Sequence, residues 1–481
     1  MIRPALSLAL ALLLGACGGG RGEEALLAVS AVGGELRTTD PSAGPLDPAG
    51  RVLLGAIAQG LVRFDGAGQI EPGLAERWIV TDNGRSYIFR LREAAWPDGR
   101  PVTADQVVRT LRRAAAANSR NALAPFLAVI DEIVEMTPQV IEVRLRRPRP
   151  DLLKLFAQPE MAILGRGGSG PFRSQPHPDG GVMLTLVPDP AQIDEADAAP
   201  PGPRIRLRGE RAAVAIARLH QGQIDAVIGG TFADWPVVVA AKVDPATVRI
   251  DPAIGLFGLA VTSRTGFFAD AANREALSMA IDRGALTRFF RDDWAIAEAL
   301  LPARLDSAAA PAAPTWLPLP LGARREQART RVAAWQRAHA EPVIARIAVP
   351  AGPGGTIVWR ELARGMIAIG VRPVRTGPDD PADLVLIDAV APYDSARWFL
   401  VTACRACPAP LADRITAARD APTLEERARR IAEADLAILA DSAYIPIAQP
   451  LRWSIVTEKA NGWQGNTRGW HPLNHLRNQT E

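Results

Sequence analysis

The chain has 481 residues, 48% of them apolar and 22% charged, the balance of a folded globular protein but too long for one hydrophobic core, so two or three lobes are expected. Lys and Arg number 55 against 52 acidic residues, a net charge of +3 with no basic run, which leaves no electrostatic footprint for nucleic acid. Nearly all the cations are Arg, with Lys only at Lys154, Lys242 and Lys459, and no function is read from that bias.

At the N-terminus Arg3 precedes an apolar run from Ala5 to Leu14, followed by Gly15, Ala16, Cys17 and three glycines. The run is too short to span a bilayer, and a charged start, a short apolar stretch and small residues describe an export signal. Cys directly after Leu-Gly-Ala resembles the bacterial lipobox. Residues 1–16 are therefore expected to be a lipoprotein signal peptide, Cys17 the lipidated residue, and 17–32 the anchor and tether. No later window offers the roughly 18 uninterrupted apolar residues of a membrane span.

From Gly33 onward short alternating strands, amphipathic helices and turns rich in Pro and Gly predict an α/β chain. Tyr87, Phe89 and Leu91 share one face of a strand over 86–92, and Ile141, Val143 and Leu145 one face of another. Between them Trp96-Pro97-Asp98-Gly99 is a turn, and Thr103 with Gln106 forms a capping box that opens a helix through Val107, Val108 and Leu111. Leu74 to Trp78 reads as a packed helix end. A strand at 204–208, a helix at 210–221 and a strand at 224–228 make one βαβ candidate. A second starts at 344–349, runs through a helix at 356–369 closed by Gly370, and continues to strands at 371–374 and 384–387. The Ala- and Pro-rich stretch 307–320 is read as a surface connection. Thr423 and Glu426 cap a further helix that carries Ile431 and Ile438 on one side.

Catalytic chemistry finds no support. The segment Gly165 to Gly170 lacks the Gly-Lys-Ser/Thr of a phosphate loop, and Pro171 stands where a nucleophile elbow around Ser169 needs glycine. None of His177, His220, His339, His471 and His475 lies in a ligand pattern. Pro472 disfavours a helix between His471 and His475, which are placed on an exposed C-terminal segment. Cys404 and Cys407 are three apart. In an oxidising compartment they favour a local disulfide, with free thiols or a redox or metal half-site as the alternatives. No cofactor or metal is expected.

Ile57 to Asp65, Glu71 to Trp78, Tyr87 to Arg92, Trp96 to Val108 and Gly168 to Phe172 resemble, in order, the signature of family 5 extracellular solute-binding proteins, the oligopeptide, dipeptide and nickel receptors of ABC importers. The likeness continues through Gln221 to Asp225, Arg274 to Arg283 and Ala443 to Ile447. Taken as residues, these stretches are scaffold. What the resemblance implies is the architecture: a two-lobed periplasmic-binding-protein fold with hinge strands and an extra small domain. Lobe I would combine 33–50, 166–250 and 449–481, the small domain 51–165 and lobe II 251–448. The implied function is a monomeric extracytoplasmic receptor, not an enzyme, that binds a peptide-like or other small organic solute and delivers it to ABC importer permease subunits. A sensor or peptide-holding relative of the same fold and a periplasmic hydrolase are the alternatives.

By the same resemblance the ligand lies between a segment here reading Thr39 to Asp47 and one reading Asp388 to Asp394, which makes Asp40, Asp47, Asp388, Tyr393 and Asp394 candidate ligand residues and Phe257, Tyr393 and Trp398 candidate cleft aromatics. Peptide receptors of the family hold the ligand's free ammonium with the Asp of an Ala-Asp-Tyr-like segment. This chain has Ala391-Pro392-Tyr393 there. Either Asp388 or Asp394 takes over that role, or the solute carries no free ammonium.

Overall fold

A computed structural model describes residues 26–187, 204–303 and 305–477. Its first lobe is built on a seven-stranded sheet in the order Val248–Ile250, Arg452–Val456, Ala226–Thr231, Leu27–Val32, Arg204–Glu210, Val182–Leu186, Phe172–Pro176. Leu27–Val32 pairs in parallel with both neighbours. Helix Pro48–Ile57 packs against this strand, and helix Ala212–His220 packs against it as well. All six residues of the strand are buried. Its place corrects the reading of 17–32 as tether over 27–32. A strand covered on both faces has no apolar/polar alternation to announce it, so Leu-Ala-Val-Ser-Ala-Val reads in sequence as part of the tether. Cys17 and the signal-peptide reading lie outside the described residues.

The second lobe carries a five-stranded sheet ordered Arg372–Thr376, Ile344–Ala348, Leu384–Val390, Gly255–Val261, Tyr444–Ala448. Helix Pro353–Ala368 provides the crossover between its parallel strands. Two short crossings join the lobes, residues 251–254 and 449–451, each running straight from a strand of one sheet into a strand of the other. They are braced rather than loose. The Asp251 amide donates to the Arg452 carbonyl at 3.1 Å, and the Trp294 indole donates to the Gln449 carbonyl at 2.7 Å.

The small domain is a four-stranded antiparallel sheet, Ala75–Thr81, Ser86–Leu91, Val140–Leu145, Ile130–Thr137, covered on one face by helix Ala104–Ala115 through Val107, Val108 and Leu111. The capping box of Thr103 and Gln106 is present. Residues 74–78 are not a helix end: from Ala75 the chain is a strand paired with Ser86–Leu91, and its mostly exposed side chains place it at the sheet's edge. The Gly-rich loop serves close packing. Gly168 has φ +94°, and a Cβ there would strike the Ile57 carbonyl, whose oxygen accepts from the Gly170 amide at 2.8 Å. The stretch 307–320 is more than a surface connection, because Trp316 is buried and the Ala312 amide donates to Asp435 at 2.8 Å.

Candidate functional site

Strand Leu384–Val390 of the second lobe points its C-terminal end at the junction of all three units. Ala391, which follows it, donates its amide to the Ile254 carbonyl at 2.8 Å in one of the crossings, so the segment 391–394 is aimed from a fixed point. The small domain takes hold of it next: the Gln158 amide donates to the Pro392 carbonyl, and the Tyr393 ring packs edge-on to Phe126 at 5.7 Å. The C-terminal stretch of the first lobe holds it from the other side, with Arg468 donating to the Ala391 carbonyl at 2.9 Å.

Asp394 of this segment and Asp388 of the strand before it are both engaged within the protein. Asp394 is ion-paired with Lys154 of the small domain and with Arg468, and these cations hold it below the usual carboxylate range despite burial that pushes the other way. Asp388 receives two hydrogen bonds from Arg452 Nη1 at 2.8 and 3.0 Å. Arg452 opens the strand that follows a crossing, so this pair joins the two lobes. Burial pushes the Asp388 carboxyl up, and Arg452 pulls it back.

Asp40 and Asp47 are not brought to this group. The Asp40 side chain accepts from the Ser42 amide at 2.9 Å and lies 3.1 Å from Arg113, and Asp47 stands exposed at the start of helix Pro48–Ile57. Phe257 and Trp398 are core side chains and not cleft aromatics. Phe257 is 1% exposed, 4.9 Å from both Phe232 and Trp294. Trp398 is 5% exposed and stands edge-on to Phe399. Cys404 and Cys407 are joined as a disulfide, Cα atoms 5.3 Å apart. His471 is not on an exposed segment. It is buried with its Nε2 3.0 Å from Asp251, where it braces a crossing. Among the described residues no group of three His, Cys, Asp or Glu is placed to hold a metal ion, and no helix is long and apolar enough to cross a membrane.

Sequence reasoning missed the cations and the amide that organise the site: Lys154, Gln158, Arg452 and Arg468, with Arg149, Arg397 and Arg427 beside Tyr393. Most of them are arginines in an arginine-rich chain, and Lys154 meets Asp394 across 240 residues, so no local pattern marks them.

A model of the bacterial extracellular solute-binding proteins, family 5 Middle, matches residues 69–328. The chain is 39% identical over 92 residues to a probable deoxycholate-binding periplasmic protein of Escherichia coli, covering 19% of this chain and 17% of that protein. It is 25% identical over 287 residues to the periplasmic oligopeptide-binding protein OppA of Salmonella typhimurium, covering 52% of each. The alignments therefore span about half the length of these curated relatives or less. The structure of the Escherichia coli murein tripeptide binding protein MppA superposes with a TM-score of 0.78 at 18% identity, covering 94% of this chain and 97% of that one. That likeness carries the fold alone.

Proposed function

The chain belongs to the bacterial extracellular solute-binding proteins of family 5, and from that premise we propose that it is an extracytoplasmic receptor, lipid-anchored through Cys17, that closes its two lobes on a small organic solute and presents it to an ABC importer. The observation that carries this reading is the fastening of segment 391–394, which is tied at once to the small domain, to a crossing and to the C-terminal stretch. A segment held at the meeting point of two lobes that are joined by two short crossings is where hinge closure would grip a solute. The names of the relatives, oligopeptide-binding in one case and deoxycholate-binding in another, support a solute class wider than peptides.

The charges narrow that class. Pro392 replaces the carboxylate that would meet a free ammonium, and its neighbours Asp388 and Asp394 already serve Arg452, Lys154 and Arg468. A buried ammonium without a carboxylate costs about 3–5 kcal/mol, which removes about two to three and a half powers of ten in affinity. Ordinary free di- to pentapeptides should therefore bind weakly, and N-acetylated versions of the same peptides, or deoxycholate, better. Calorimetry on the paired peptides reads the first expectation. Small-angle scattering reads closure, and a solute at a hundredfold excess over its Kd should add about 2.7 kcal/mol of stability. Tight binding of free peptides that acetylation abolishes would overturn the solute class, and a stabilising solute that causes no compaction would overturn the hinged receptor.

The anchor has its own test. Cys17→Ser should leave folding and solute binding unchanged and move the protein from the membrane fraction to the soluble one, because lipidation uses that thiol and the first strand begins only at Leu27. Persistence of the variant in salt-washed membranes would refute lipid anchoring.

A further inference from the structure

Beside Tyr393 the small domain and the second lobe enclose more positive charge than they neutralise. Arg149 lies in the loop between strand Val140–Leu145 and helix Leu152–Phe156, Arg397 in helix Ala396–Ala403 and Arg427 in helix Leu424–Asp441. The carboxylates nearby are already engaged: Asp306 by Arg427, Asp420 by Arg147 and Arg419, and Asp394 by Lys154 and Arg468. Asp151 stands 4.0 Å from Lys154. Arg149 and Arg397 are left: among the described residues neither lies within ion-pair distance of a carboxylate, and Asp420, which feels Arg397, is already held by Arg147 and Arg419. Among the described residues the Arg149 guanidinium donates to the Pro148 and Arg419 carbonyls, at 2.7 and 2.6 Å.

Arg397 is the more telling of the two. It is 9% exposed, its guanidinium lies 5.6 Å from the Phe126 ring centre, its polar neighbour is the Tyr393 hydroxyl, and its Nε has no hydrogen-bond partner. Burial and the neighbouring arginines press Arg149 down to about 10. A protein that buries a guanidinium normally supplies a counter-charge, because an uncompensated buried cation is strongly destabilising. Arg397 is buried and Arg149 half-buried, one on each side of the junction next to segment 391–394, and a planar guanidinium recognises a carboxylate best.

We propose that Arg149 and Arg397 form an anion subsite that takes the carboxylate of an acidic organic solute as lobe II closes on the small domain. This rests on the receptor reading above and gives it a substrate class: solutes with an acid group and no free ammonium. It also assigns a specificity role to side chains that the fold would be better off without.

The test uses the mature protein and matched probes: phenylacetate beside phenylacetamide, decanoate beside decanamide, and N-acetylated dipeptides as acids beside their C-terminal amides. The acid of at least one pair should bind about tenfold or more tighter than its amide. Arg397→Gln and Arg149→Gln should each abolish that preference, while the solute-free variants melt at the same temperature as the parent or higher. The inference fails if no acid binds better than its amide, if Arg397→Gln keeps the preference, or if both solute-free variants melt well below the parent, which would make the arginines structural. Scattering on the same samples separates the two readings. Compaction by an amide at as low a concentration as by its acid sinks the acid subsite and leaves the receptor, whereas an acid preference without compaction overturns the hinged receptor and this subsite with it.

Discussion

Arg452→Met is expected to cost about 3–5 kcal/mol near neutral pH, with the loss shrinking as the pH falls, because it strips the counter-charge from a buried carboxylate. Arg452 and Asp388 are each 15% exposed at the side chain, and Asp388 sits within strand Leu384–Val390, where it pairs in the ladder with Phe257 of the core. Solvent cannot take over from the guanidinium. Without Arg452, burial acts unopposed and raises the Asp388 carboxyl further above its ordinary value. The sign follows from linkage: a carboxyl whose folded-state pKa is raised binds protons more tightly folded than unfolded, so stability falls as pH rises through the window between the two values. Melting temperatures of parent and variant should thus converge in acid and separate above neutrality. Asp388→Asn in the same background should recover a large part of the loss, because the amide removes the charge and keeps the shape. A variant that loses under about 1 kcal/mol, in the range of an exposed pair, or whose loss is the same at every pH, would show that the pair is solvated and does not join the lobes.

The legible parts of this fold are those decided within a few residues. The alternation of Tyr87, Phe89 and Leu91, the capping box of Thr103 with Gln106, and the Thr423 cap that accepts from the Glu426 amide all stand where the pattern puts them. The illegible parts are those in which tertiary surroundings override local pattern. Leu27–Val32 is covered on both faces and so carries no period. Residues 75–78 take their conformation from the strand they pair with, across the turn at 82–85.

The site follows the same division. Family resemblance led to the segment ending in Asp394, but what that segment does depends on its partners. Lys154 lies 240 residues away in sequence, Arg468 lies 74 away, and Arg452 lies 64 away from Asp388. Nothing in a run of residues distinguishes an arginine that will be buried at a junction from one on a solvated helix face. Pro392 was readable as a departure. Only the geometry adds that both neighbouring carboxylates are committed elsewhere, the ground on which a solute without an ammonium is proposed.

Asp435→Asn should stabilise the protein above neutral pH and leave it unchanged near pH 3. Asp435 lies in helix Leu424–Asp441, is 3% exposed, and accepts one hydrogen bond, from the Ala312 amide. No cation pairs with it among the described residues. Burial therefore pushes its carboxyl from an ordinary 3.8 up to about 6, with the Ala312 bond pulling weakly in the other direction. Below about pH 3 the group is protonated whether the chain is folded or not and contributes nothing to the balance. Between about pH 4 and 6 the folded chain holds the proton that the unfolded chain releases, so stability falls as pH rises, and above about 6 the loss is complete at ~3 kcal/mol. Asparagine keeps an oxygen for the Ala312 amide and carries no charge, so it removes the penalty without freeing the 307–320 stretch that this bond tethers. The check is the difference in melting temperature between variant and parent across pH 3 to 8. It should be near zero at the acid end, grow through pH 5 to 6 and stay level above. A flat difference, or a variant less stable at pH 8, would mean that burial does not raise the Asp435 carboxyl in the folded protein and that its charge is solvated or paired.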